Sequence, residues 1–74
     1  MISIKNDQVI KAFGKKVRTL RIERRLSQEE LAILADIMPS QVGRIERGET
    51  NPTLSTINVL AGALNISINE LFTL

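Results

Sequence analysis

The chain has no cysteine, histidine, tyrosine or tryptophan. Without cysteine there are no disulfides and no thiol chemistry, and without cysteine or histidine the usual zinc sites are excluded. No metal and no cofactor is therefore expected. There is no glycine-rich phosphate loop, and no carboxylate pair stands apart from the surface acids. With no His, Cys or Tyr to act as base or nucleophile either, an enzymatic reading is rejected. Two phenylalanines are the only aromatics, so the core must be aliphatic, and a hydrophobic content of 43% can supply it. The N-terminal stretch MISIKNDQVIKAFGKK lacks the apolar core of a signal peptide, and no segment approaches the roughly 18 apolar residues of a membrane span. A chain without disulfides suits a reducing cytoplasm. The expectation is one soluble, unprocessed, cytoplasmic domain of 74 residues, near the size at which a single core only just suffices.

What is present is unevenly charged. Residues 1–25 carry eight basic side chains (Lys5, Lys11, Lys15, Lys16, Arg18, Arg21, Arg24, Arg25) against Asp7 and Glu23, a net of +6. Residues 26–74 carry Arg44 and Arg47 against six acids, a net of −4. A basic half marks a polyanion-facing surface when the neighbouring motif supports one, and otherwise a solvated helix face.

Helical periodicity organises the chain. A first helix is predicted from after Asp7 to about Arg24, with Ile10, Phe13, Val17 and Leu20 inward. Residues 27–48, SQEELAILADIMPSQVGRIERG, read as two short helices on a tight turn. Ser27 and Glu30 form a capping box. Leu31, Ala32 and Ala35 make one apolar face, Asp36-Ile37-Met38 breaks it, and Pro39 restarts a helix where its missing N–H costs nothing. Val42 and Ile45 continue inward, and Gly48 ends the helix. Such a pair is a helix-turn-helix, whose second helix can enter a DNA major groove. Glu49–Pro52 is a polar loop, and Thr53 caps a fourth helix with Leu54, Ile57, Leu60, Ala61 and Leu64 inward and Asn65 left-handed at its end. Ser67 and Glu70 open a short fifth helix with Ile68, Leu71 and Phe72 on one face. Ile2 and Ile4 alternate with polar residues, and residues 1–6 are read as a disordered or extended tail. The fold class is all-α, five helices in one domain.

The stretches VRTLRIERRLSQEELA (17–32), IERG (45–48), NPTLSTI (51–57) and LAGALNISINEL (60–71) resemble the Cro and phage-repressor helix-turn-helix family, also called the XRE family. The resemblance implies a λ-repressor-like domain acting as a sequence-specific transcriptional regulator, a homodimer placing its third helix in the major groove of a palindromic operator on double-stranded DNA. It implies no membrane and no small-molecule ligand. Restriction–modification controllers, phage Cro-type proteins and operon-encoded antitoxin repressors share the pattern. A protein-interaction or antitoxin module is the alternative. With no second domain to sense a ligand, regulation is expected to come from concentration, operator arrangement or a partner.

Carried over by position, the resemblance places Pro39, Ser40, Gln41 and Arg44 at the groove. Arg44 is the reader of sequence, because its guanidinium fork fits the O6/N7 acceptors of guanine. Ser40 and Gln41 can equally meet phosphate. Gln28, Arg47, Thr50, Asn51, Lys16 and Arg18 are expected on the phosphate backbone, and Arg21 and Glu46 as a structural ion pair. Val59, Ile68, Phe72 and Leu74 are the candidate dimer surface. The chain departs from the family pattern at four positions. Asp36 replaces the turn glycine, and Met38 sits where a small polar cap is usual. Gly43 lies inside the recognition helix, where it either permits close approach to DNA or is a tolerated weak spot. Arg25 replaces the glycine ending the first helix.

Overall fold

The computed structural model describes residues 7–74; the expectation for the tail at 1–6 lies outside them. The helices are α1 (Asp7–Glu23), α2 (Gln28–Ala35), α3 (Pro39–Glu46), α4 (Leu54–Ala63) and α5 (Ile68–Leu71). No strand occurs among the described residues.

Local chemistry sets where each helix starts. The Ser27 hydroxyl accepts the Glu30 N–H at 2.9 Å while the Glu30 carboxylate accepts the Ser27 N–H at 2.9 Å, so two N-terminal donors of α2 are satisfied reciprocally. Thr53 accepts the Thr56 N–H, and Ser67 accepts the Glu70 N–H, each at 3.1 Å. Met38 offers no such oxygen. Instead the Gln41 side chain reaches back from within α3 and accepts the Met38 N–H at 2.9 Å. Half of a capping box thus stands in for the polar cap usual at this position.

The first four helices end alike. Arg25, Asp36 and Asn65 have φ of 56°, 57° and 57°, and Gly48 has 71°. At each, the left-handed residue and its successor donate back to carbonyls of the last turn: Leu26 to Arg21, Ile37 to Ala32, Glu49 to Arg44 and Ile66 to Ala61. These are Schellman motifs, which satisfy carbonyls a helix end would otherwise leave unpaired. Arg25 and Asp36 both adopt the conformation of the glycines they replace, as Asn65 was expected to do. The residue after the turn is Leu26, Ile37 or Ile66 at three of the ends, each packed against the core.

That core joins all five helices: Phe13 and Val17 of α1, Leu31, Ala32 and Ala35 of α2, Val42 and Ile45 of α3, Leu60, Ala61 and Leu64 around α4, and Leu71 of α5. Burying a side chain such as Leu31 or Leu60 contributes about 1.5–3 kcal/mol, which offsets the entropy of ordering a short chain. One expectation fails. Leu54, read as inward, is 73% exposed. It is the first residue of α4, and its spacing to Ile57 puts it at the rim of the apolar stripe, where it lines a shallow groove with Ser55, Asn58 and Ile68.

Two close backbone approaches help fix α1 to the rest. Gly14 lies against the end of α3 so closely that an added Cβ would overlap the Ile45 carbonyl oxygen and stand 2.9 Å from that of Glu46. At the far end, Arg24 donates to the carbonyls of Leu64, at 2.6 Å, and Leu20, at 3.2 Å, tying the ends of α1 and α4 together.

Candidate nucleic-acid interface

The α2–α3 pair turns one face of α3 to the core and the other to solvent. Val42 and Ile45 are buried, while Pro39, Ser40, Gln41 and Arg44 are exposed. Four predicted site residues, Gln41, Arg44, Thr50 and Asn51, surround one notch of about 160 Å³ between α3 and the following loop. The Gln41 amide oxygen is held by the Met38 N–H, which leaves mainly its NH₂ group for an outside acceptor.

The inner end of α3 is locked by a polar cluster. Arg21 donates through Nε to Glu46 Oε2 at 2.7 Å and through Nη2 to Oε1 at 3.0 Å, a two-pronged pair between α1 and α3. Its Nη1 donates to the Leu26 carbonyl at 2.8 Å. The Glu46 hydrogen bond, then its charge, hold the Arg21 guanidinium above its ordinary value. The ion pair read from the sequence is therefore present. Gln28 joins it, donating from Nε2 to Glu46 Oε1 at 3.1 Å. An amide nitrogen has two hydrogens, so one remains free to donate.

The remaining candidates separate. Arg47 is turned to Glu49, with Nε 2.7 Å from Oε2 and Nη2 3.3 Å from Oε1. Gly43 is buried beneath this guanidinium: a Cβ there would lie 3.0 Å from Arg47 Nη1 and 3.6 Å from the Gln28 amide oxygen. Its missing side chain thus admits neighbouring side chains of the same molecule. Lys16 faces the other flank of α1, sharing a groove with Ala12, Lys15, Thr19, Thr73 and Leu74. Lys11, by contrast, packs its stem on Gly48 at the end of α3; a Cβ there would come 2.6 Å from Lys11 Cγ. Arg18, four residues beyond Gly14, falls on the same face of α1. The sequence alone does not single out Lys11 as a neighbour of α3. The available signal was Gly14, a glycine in mid-helix that marks where another backbone approaches.

The four apolar residues expected at a dimer surface have different neighbours. Val59 borders the α2–α3 turn with Ala35, Asp36, Ile37, Ser55 and Thr56, and Ile68 lies beside Leu54. Phe72 packs on Phe13 of α1, ring centroids 5.6 Å apart, and Leu74 lies against α1.

Comparison with known proteins agrees with this geometry. The family described as helix-turn-helix matches residues 17–71. The chain is 44% identical over 60 residues to the control protein C.SmaI of Serratia marcescens, covering 81% of this chain and 71% of that one. It is 40% identical over 58 residues to the immunity repressor protein of Bacillus phage phi105, covering 78% of this chain but only 40% of the repressor's length. Among solved structures, the restriction-modification controller protein C.AhdI from Aeromonas hydrophila superposes with a TM-score of 0.82 at 44% identity, over 89% of this chain and 98% of that one. A fold that presents an exposed α3 from a helix-turn-helix is that of a DNA-binding transcriptional regulator. The chain belongs to the helix-turn-helix family.

Proposed function

We propose that the protein binds a two-fold symmetric operator as a homodimer, with α3 in the major groove and Arg44 reading a guanine. The observation that carries this reading concerns the three arginines around α3. Arg21 is held by Glu46 and Arg47 by Glu49. Arg44 is exposed, and no hydrogen bond or ion pair among the described residues engages its guanidinium. An unengaged fork on the outer face of a recognition helix is the group that can pair with base edges. Ser40 and the free amide hydrogens of Gln41 supplement it beside Pro39. Thr50, Asn51, Arg18, Lys11 and the second amide hydrogen of Gln28 contact phosphate and set the register. Lys16 has no part in this arrangement. Such a regulator acts where the DNA is, in the cytoplasm.

One recognition helix reads too few base pairs to find a site in a genome, which is why small helix-turn-helix domains pair. The outer face of α4 suits pairing. Leu54 is 73% and Val59 37% exposed, Ile68 lies beside Leu54, and nothing stands within 4 Å of the space above Gly62. Two-fold pairing there sets the recognition helices about 34 Å apart, one turn of DNA. Selection from a random duplex library at near-physiological salt tests the reading. The expected result is an enriched motif with two inverted half-sites. Arg44→Ala then costs about 1–3 kcal/mol and relaxes one position per half-site, whereas Gln28→Ala weakens all sequences alike. Recovery of no motif, or of a single half-site, refutes it.

A further inference from the structure

The four Schellman ends differ at one position. After the left-handed residue, α1, α2 and α4 place Leu26, Ile37 and Ile66 against the core. At the end of α3 the equivalent residue is Glu49, exposed to solvent. A hydrophobic contact is the usual companion of this turn, so packing does not account for a carboxylate there. The turn fixes the backbone of Glu49 through its N–H bond to the Arg44 carbonyl at 2.9 Å. It thereby presents the carboxylate to both prongs of Arg47. Gly43 completes the arrangement, because the absence of a Cβ lets the guanidinium lie back along α3.

A negative charge at the edge of a DNA-binding surface works against phosphate binding. Each phosphate neutralised by a cation adds to sequence-independent affinity and to its salt dependence. We propose that Glu49 is a specificity-determining residue: by holding Arg47 away from the DNA backbone it lowers affinity for DNA of any sequence, leaving readout by Arg44 a larger share of operator recognition. The inference rests on the DNA-binding reading above. The Arg47 hydrogen bond and charge keep the Glu49 carboxyl below the usual carboxylate range, so the restraint persists at neutral pH.

The test measures binding of the full chain to a random-sequence duplex across a salt series. Glu49→Gln is expected to tighten binding several-fold at low salt and to steepen the log K against log salt slope by about 0.9 per bound subunit. Arg47→Ala alone should leave the slope close to wild type, and Glu49→Gln in the Arg47→Ala background should give only the smaller gain of removing a negative charge, without the steepening of the slope. The ratio of operator to random-duplex affinity should narrow in Glu49→Gln. The inference is overturned by an unchanged slope in Glu49→Gln, by a slope about 0.9 shallower per subunit in Arg47→Ala, or by a steepening of equal size when Arg47 is absent. A wild-type protein that binds no duplex refutes the DNA-binding reading itself, a result distinguishable from these three.

Discussion

Gly14→Ala sets two physical effects of opposite sign against each other. Helix propensity alone favours alanine by about 1 kcal/mol inside a helix. Packing opposes it, because the added Cβ overlaps the Ile45 carbonyl oxygen and sits 2.9 Å from that of Glu46. Both obstacles are backbone atoms, which have no rotamer to change. Restoring ordinary contact requires α1 and the end of α3 to part by roughly an ångström. That disturbs the core shared by α1 and α3, to which Val17 and Val42, both 0% exposed, belong. Overpacking of this kind costs typically 1–3 kcal/mol, and an immovable obstacle justifies the upper end. About 3 less about 1 leaves a net loss of about 2 kcal/mol, on the order of 10 °C in Tm for a domain this size. Gly62→Ala is the matched control. Nothing lies within 4 Å of its new methyl, so the propensity gain of about 0.5–1 kcal/mol should emerge unopposed. Thermal and urea unfolding of both variants, at equal protein concentration, measure the contrast. A Gly14→Ala protein as stable as wild type, or more so, would refute the backbone-contact argument.

Glu46→Gln should be the most damaging of the polar changes. It leaves Arg21, whose side chain is 12% exposed, beside a neutral amide, and the loss should fall at the lower end of the range for a broken buried pair, about 3 kcal/mol by denaturant titration; a loss under about 1 kcal/mol would mean that the pair is structurally dispensable. Acid should weaken the start of α2. The Ser27 backbone N–H, then its hydroxyl, hold the Glu30 carboxyl below its ordinary value. A depressed folded-state pKa contributes stability that is present above the unfolded value and lost as pH falls through the folded one. Glu30→Gln keeps an acceptor but cannot titrate, so its stability should fall less steeply below the carboxylate range; identical acid profiles would count against this assignment.

Much of the fold was legible because the signals at helix ends are local. Ser27 with Glu30, and Thr53, announce starts through bonds three residues long, and Asp36, Asn65 and Gly48 tolerate the left-handed stop. The Arg21–Glu46 pair spans 25 residues and was legible only through the family resemblance. Rotational setting was harder to read. Periodicity shows that α1 has an apolar stripe but not which neighbour covers each flank, so Lys16 and Lys11 are indistinguishable until Gly14 is seen to meet α3. Leu54 failed for a related reason: a first-turn residue can satisfy the spacing while lying beyond the element that would cover it. Arg47 was read as a phosphate contact and Gly43 as either permitting close approach to DNA or a tolerated weak spot, and nothing in the one-dimensional pattern reveals that Glu49 pairs with the arginine.

The bonds of Arg21 bear on what can be transplanted between such proteins. This residue lies outside the helix-turn-helix, yet it grips both the Leu26 carbonyl ahead of α2 and the Glu46 carboxylate at the end of α3. The two-helix motif is consequently not a self-sufficient module. Grafted into a scaffold without an equivalent arginine, residues 27–48 would carry Glu46 into burial without its cation and would lose the anchor at their leading edge. Exchanging Ser40 and Arg44 alone leaves that anchorage intact. On the proposed DNA-binding reading, the smallest portable unit is therefore the outer row of α3, with Gln41 kept as its cap, and the next larger one is α1 to α3 together.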